Sequence, residues 1–176
     1  MKEGIANIIF DLDGTLIDSS PSILATFRDV LESNKVEPRV VIDSTIIGPP
    51  LVDTLRSITG IDDAARLLGL AEAFKFRYDS VGVLQTRAYP GIVDMLDRLR
   101  TWGYSLYIAT NKRLTPTVRI LRNLRLWEYF DAVYTIDIAT PPYAGKNAMI
   151  AALLSQKNIS SESGCYVGDR PEDGFA

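Results

Sequence analysis

The chain of 176 residues is predicted to be an α/β protein whose parallel sheet is interrupted, near its start, by an all-helical insertion. Three observations lead there. Short apolar runs at 8–10, 105–109, 132–136 and 165–167 have the length and the β-branched or aromatic content of strands. From residue 92 onward, segments of helical spacing alternate with those runs, which is the βαβα pattern of a parallel sheet. Between the first run and residue 88 only helical patterns occur.

Each element has a local reason. The run from Ile5 to Phe10, broken by Asn7, stops at Asp11. Ser20 and Pro21 are helix start signals, and Ile23, Leu24, Phe27, Val30 and Leu31 then share one face. Residues 51–59, 62–68 and 70–80 carry helix formers, with turns expected at Gly48-Pro49-Pro50, Gly60 and Gly69. The pattern changes at Tyr89-Pro90-Gly91. Ile92, Leu96, Leu99 and Trp102 form a stripe, and Gly103 fits a C-terminal cap. A strand at 105–109, a helix at 115–126, a strand at 132–136, a helix at 146–156 and a strand at 165–167 complete the series. Residues 1–18 and 88–176 thus make a discontinuous sheet-bearing core, and 19–87 an inserted helical domain. Arg119, Arg122 and Arg125 recur opposite Val118, Leu121 and Leu124, which reads as a solvated helix face.

Composition narrows the chemistry. With 47% hydrophobic and 23% charged residues, the chain can bury roughly two-thirds of its unfolded surface. A net charge of -3 argues against nucleic acid or an acidic membrane as the main partner. Histidine is absent, which excludes every imidazole base, nucleophile or metal ligand and leaves acid–base work to carboxylates. The single Cys165 cannot form an internal disulfide and reads as buried core. The N-terminal apolar run is too short for a signal core and no stretch is long enough to span a bilayer, so a cytoplasmic location is expected.

Asp11-Leu12-Asp13-Gly14-Thr15 places two carboxylates at the carboxyl end of the first strand, where open α/β sheets bind ligands. Alone, the segment could simply cap a turn. A calcium loop is excluded, because its required sixth-position Gly and twelfth-position Glu fall on Leu16 and Ser22. Polar residues recur where later strands end, as Thr110-Asn111-Lys112 and as Gly168-Asp169-Arg170-Pro171-Glu172-Asp173. Separately, the first reads as a helix-capping signal and the second as a solvated turn. Lys146 opens a helix, where the helix dipole prefers an anion, and a bound anion would remove that conflict.

In this order the four pieces resemble the haloacid dehalogenase superfamily, whose pattern is Asp-x-Asp-x-Thr, Ser or Thr after a strand, Lys, then Gly-Asp-x-x-x-Asp. The insertion matches that superfamily's helical cap. Gly48-Pro49-Pro50-Leu51 together with Tyr89-Pro90-Gly91 looks like its phosphoglycolate phosphatase-like branch. The resemblance implies a Rossmann-like core with a mobile cap and a Mg²⁺-dependent phosphatase of small organic phosphate monoesters, with phosphoglycolate the leading guess. It implies Asp11 as the nucleophile that forms an aspartyl-phosphate, and Asp13 as the acid and base. Asp11, the carbonyl of Asp13 and Asp169 would be Mg²⁺ ligands, with Asp173 in support. Thr110 and the backbone at Asn111 would bind the phosphoryl oxygens, and Lys146 would neutralise nucleophile and phosphate. In the cap, Gly48, Pro49 and Pro50, with Asp53 and Arg56 just after them, would face the site on closure.

The alternative is a sugar-phosphate mutase, which shares the four motifs. A dehalogenase is disfavoured by Asp13, and the phosphonate-cleaving branch by the lack of any lysine between Lys35 and Lys75. A phospho-accepting receiver domain carries its acceptor on a middle strand. Because the superfamily usually continues past the last motif, the chain reads as lacking C-terminal core elements, with 165–167 left as a sheet edge. A binding-only or inactive relative is the third reading.

Overall fold

Residues 4–170 are described by the computed structural model of the chain. Strand β1 (Asn7–Phe10) and a short β2 (Ile17–Asp18) lead into four helices, α1 (Ser20–Ser33), α2 (Leu51–Thr59), α3 (Ala64–Arg77) and the short α4 (Val83–Gln85). Then come β3 (Arg87–Ala88), α5 (Ile92–Thr101), β4 (Ser105–Thr110), α6 (Leu114–Asn123), β5 (Ala132–Thr135), α7 (Lys146–Lys157) and β6 (Gly164–Val167). The chain divides into two compact units, Met1–Asp18 with Arg87–Ala176, and Ser19–Thr86.

In the larger unit four strands form a parallel sheet in the order β5-β4-β1-β6. Parallel strands need a crossover each, and helices supply them here; strands covered on both faces read as continuous apolar runs. Ile9, Phe10, Leu106, Ile108 and Ala109 are accordingly buried. One face is filled by Ile9, Tyr107, Ala109 and Tyr134 packed with Met149, Ile150 and Leu153 of α7. Phe10 lies in register with both Ile108 and Val167, and Thr110 with Thr135, so all strands end at one edge. A separate antiparallel pair, Ile17 with Ala88 and Asp18 with Arg87, joins β2 to β3.

The smaller unit has its own core. Phe27, Val30 and Leu31 of α1, Leu55 and Ile58 of α2, and Leu67, Leu70 and Phe74 of α3 are buried, with the Phe27 and Phe74 rings 4.4 Å apart. No helix among the described residues is long and apolar enough to cross a membrane.

Three expectations need correction. Gly69 is not a turn: it lies inside α3, which runs unbroken because helix formers on both sides outweigh one glycine. The helix expected to reach residue 126 ends at Asn123, because Arg125 turns into the left-handed region at φ +57°. Cys165 is half-buried instead of fully buried, since β6 is an outer strand of the sheet. The arginines at 119, 122 and 125 are exposed, as a solvated face requires.

Candidate active site

The carboxyl edge of the sheet collects the acidic motifs. β1 stops at Asp11, whose N–H donates to the carbonyl of Val167 at 2.8 Å and so ties this end to β6. The chain then turns tightly: the carbonyl of Leu12 accepts from the N–H groups of Leu16 and Ile17, at 2.9 and 3.1 Å. Leu12, Leu16 and Ile17 are fully buried, and these apolar anchors fix the loop that carries Asp11 and Asp13. Gly14 has φ +80°, and a Cβ built there would collide with the carboxylate of Asp169. Glycine is therefore required twice over, by its backbone conformation and by the close approach of Asp169.

Asp11 is buried, and its two oxygens are held separately. The N–H of Leu12 donates to Oδ1 at 2.8 Å, and the Lys146 ammonium donates to Oδ2 at 2.8 Å. Burial pushes the Asp11 carboxyl above the ordinary aspartate range; the hydrogen bond and charge of Lys146, the Leu12 N–H and a hydrogen bond with Thr110 pull the other way. Lys146 is the first residue of α7, so the anion its helix start calls for is Asp11 itself. Its Nζ also stands 5.4 Å from the centre of the Tyr166 ring, and the Tyr166 hydroxyl donates to the carbonyl of Ala109 at 3.2 Å.

Thr110 is the buried last residue of β4. Asn111 is exposed at the start of the following loop. Asp13 is held by Lys112, whose Nζ lies 3.0 and 3.1 Å from its two oxygens. Tyr89 is raised above the usual phenol range, first by burial and then by the negative charges of Asp18, Asp169 and Asp13. Neither Lys112 nor Tyr89 carries a role in the sequence reading. Lys112 was visible only inside a helix-capping triplet, and nothing local marks Tyr89 as a neighbour of three carboxylates.

The structure thus brings Asp11, Asp13, Thr110, Lys146 and Asp169 to one edge, with Asn111 beside them. Asp173 lies outside the described residues. Gly48, Pro49, Pro50 and Arg56 belong to the smaller unit. There Pro50 precedes α2, and Arg56 makes an exposed 2.9 Å ion pair with Asp53 on the same helix. Among the described residues no three metal-binding side chains form a cluster. Mg²⁺ commonly takes only one or two protein carboxylates and completes its shell with other oxygens. Asp11, the carbonyl of Asp13 and Asp169 are oxygen donors of the kind that requirement asks for, and Asp169 lies against Gly14 in the loop that carries the other two.

The sequence pattern of the family described as haloacid dehalogenase-like hydrolase matches residues 8–176. A 5'-nucleotidase of Pseudomonas aeruginosa is 30% identical over 168 residues, covering 95% of this chain and 75% of that protein. The tyrosine-protein kinase PtkA of Mycobacterium tuberculosis is 32% identical over 168 residues, covering 94% of this chain and 56% of its own length. A phosphoglycolate phosphatase of Rhodobacter capsulatus is 34% identical over 131 residues, covering 72% of this chain and 59% of that protein. The chain therefore spans little more than half the length of these last two relatives. Among solved structures, a putative phosphatase from Clostridium difficile superposes with a TM-score of 0.84 at 26% identity, covering 99% of this chain and 80% of that one.

Proposed function

The chain belongs to the haloacid dehalogenase-like hydrolases, an enzyme family that supports phosphatase activity here, and we propose that it hydrolyses small organic phosphate monoesters with Mg²⁺, through an aspartyl-phosphate on Asp11. The buried 2.8 Å pair between Asp11 and Lys146 carries this reading. It fixes one carboxylate oxygen at the end of a central strand and leaves a lysine beside it to meet a dianion.

Asp11 attacks phosphorus in line with the departing oxygen, and as a carboxylate it needs no base to become a nucleophile. Asp13, two residues on, gives a proton to the leaving alkoxide and later takes one from the attacking water. Thr110, the backbone at Asn111 and Lys146 hold the transferring phosphoryl oxygens. Asp11, the Asp13 carbonyl and Asp169, with Asp173 in support, would hold Mg²⁺, which when bound would supply positive charge to offset the repulsion of an anionic nucleophile and an anionic phosphate. The smaller unit acts as a cap whose Gly48-Pro49-Pro50 turn and Arg56 select the ester. Phosphoglycolate is the leading substrate, on the strength of that turn and of the phosphatase that is 34% identical.

The test is phosphate release from 2-phosphoglycolate, a nucleoside 5'-monophosphate and an aryl phosphate, each with Mg²⁺ and with chelator, and with Asp11→Asn as control. Release that needs both Mg²⁺ and Asp11 is the expected result, and the panel ranks the substrates. A folded Asp11→Asn variant with normal turnover would remove the nucleophile assignment.

A further inference from the structure

We propose that Lys112 is the positioning residue of Asp13: a buried ammonium that fixes the orientation of the carboxylate serving the leaving group and the water. The inference rests on the acid–base reading of Asp13 given above. Its basis is geometric. Nζ of Lys112 stands nearly symmetrically, 3.0 and 3.1 Å from the two oxygens of Asp13. A cation equidistant from both oxygens constrains the rotation of the carboxylate plane as well as its position. An ionised carboxylate accepts, as from a water O–H, and a protonated one donates, as to an ester oxygen, so the direction in which Lys112 holds the group bears on both steps.

The two partners differ in burial, and the difference has a direction. The Lys112 side chain is 8% exposed and that of Asp13 35% exposed, so the ammonium lies beneath and the carboxylate faces outward. A half-buried pair of this kind sets the cost of burying an ammonium against its attraction to the carboxylate, and a lysine loses much rotamer freedom when buried. Holding a reacting group in place is a use that such a pair serves well.

The fold explains why residue 112 can reach residue 13. β4 lies beside β1 with Ile108 opposite Phe10, so the loops leaving these strands run out together. The N–H of Lys112 donates to Oγ1 of Thr110 at 3.3 Å, and Thr110 in turn hydrogen-bonds Asp11. The end of β4 and the loop that follows therefore touch both carboxylates, Asp11 through Thr110 and Asp13 through Lys112. Displacement of a reacting group by about 1 Å costs about 10²-fold in rate, which is the scale on which such a tie matters.

The experiment compares Lys112→Met, which keeps the stem and loses the charge, with Lys112→Arg and the unaltered chain at saturating Mg²⁺. The substrates are an alkyl phosphate, 2-phosphoglycolate, and an aryl phosphate whose phenolate departs without a proton. For Lys112→Met, kcat/KM on the alkyl ester, which reports the steps up to departure of the alcohol and not the water attack common to both esters, should fall by at least about tenfold, because part of the acid contribution is lost. The aryl ester should lose far less, and Lys112→Arg should recover most of the alkyl rate. Equal losses on both esters, or none, would overturn the proposal, since a merely structural lysine does not distinguish leaving groups. If Lys112→Met loses cooperative unfolding, Lys112→Gln takes its place in the same comparison. An unaltered chain that hydrolyses neither ester overturns the phosphatase reading and this inference with it, whereas hydrolysis of both with an unchanged alkyl-to-aryl ratio in the variant overturns the role of Lys112 alone.

Discussion

Asp11 sits under two opposed influences, and their balance sets how the site responds to pH. Burial disfavours its charge and is the larger effect, so the carboxyl titrates above its ordinary 3.8, while Lys146 pulls it down. A raised carboxyl is favoured by the fold in its protonated form. That contribution to stability is complete below 3.8 and is lost as pH rises through the folded value. The nucleophile, however, must be ionised, so activity is lost once pH falls far enough to protonate Asp11. Lys146→Met removes both lowering effects of the ammonium, and the acid limb of kcat/KM should therefore move to higher pH. The neutral rate should fall by at least about 10²-fold, the scale of losing one donor to the transition state. A pH–rate profile whose acid limb stays in place would disconnect Lys146 from Asp11. Lys146 was legible in the sequence as a helix-start conflict, and the family resemblance named the nucleophile Asp11, with the phosphate, as the anion it would neutralise. Lys112 was not, because its partner lies in a loop remote in sequence and only the parallel register brings them together.

At the scale of elements, a run of helix formers bounded by turn residues was read from the sequence nearly to the residue, as α2 at 51–59, between Pro50 and Gly60, shows. Errors cluster where the chain reverses without the usual residue. α6 ends in a Schellman arrangement, with the N–H of Leu126 on the carbonyl of Leu121 and that of Arg125 on Arg122, yet the left-handed position holds Arg125 instead of glycine. α1 ends in the same way at Lys35, with the N–H of Val36 on Leu31 and that of Lys35 on Glu32. Sequence signals for helix ends rest on glycine, so neither reversal announces itself. β2 and β3, two residues each, are too short to show alternation. Gly69 errs in the opposite sense, a glycine with no turn, and this yields a prediction. An added Cβ at Gly69 meets nothing within 4 Å. Gly69→Ala should therefore stabilise the chain by about 0.5–1 kcal/mol, because alanine has less backbone freedom to lose in a helix interior. Urea unfolding that shows no gain would mean that α3 is not continuous at this position in solution.

For the whole molecule, the legible part was the order of motifs along the chain, since a parallel sheet with helical crossovers must gather its carboxyl ends at one edge. What sequence alone could not supply was how a long helical insertion interrupts that sheet without disrupting it. The β2–β3 pair answers this: Asp18, the last residue before the insertion, lies opposite Arg87, the first after it. Entry and exit are thus pinned side by side, and each unit buries its own apolar residues, Ile9, Tyr107 and Leu153 in one and Phe27, Leu55 and Phe74 in the other. The larger unit should accordingly fold when 19–86 is replaced by a short Asn-Gly-type turn joining Asp18 to Arg87. Antiparallel neighbours are what such turns connect, and a shorter connection costs less closure entropy. The excised protein should unfold cooperatively in denaturant and keep Mg²⁺-dependent hydrolysis of an aryl phosphate, because Asp11, Asp13, Thr110, Lys146 and Asp169 all lie in the retained unit. It should lose its ranking among phosphate esters if the helical unit is the selector. Non-cooperative unfolding would show that the sheet depends on the insertion for its stability, and a substrate ranking identical to that of the intact chain would move the determinants of specificity into the core.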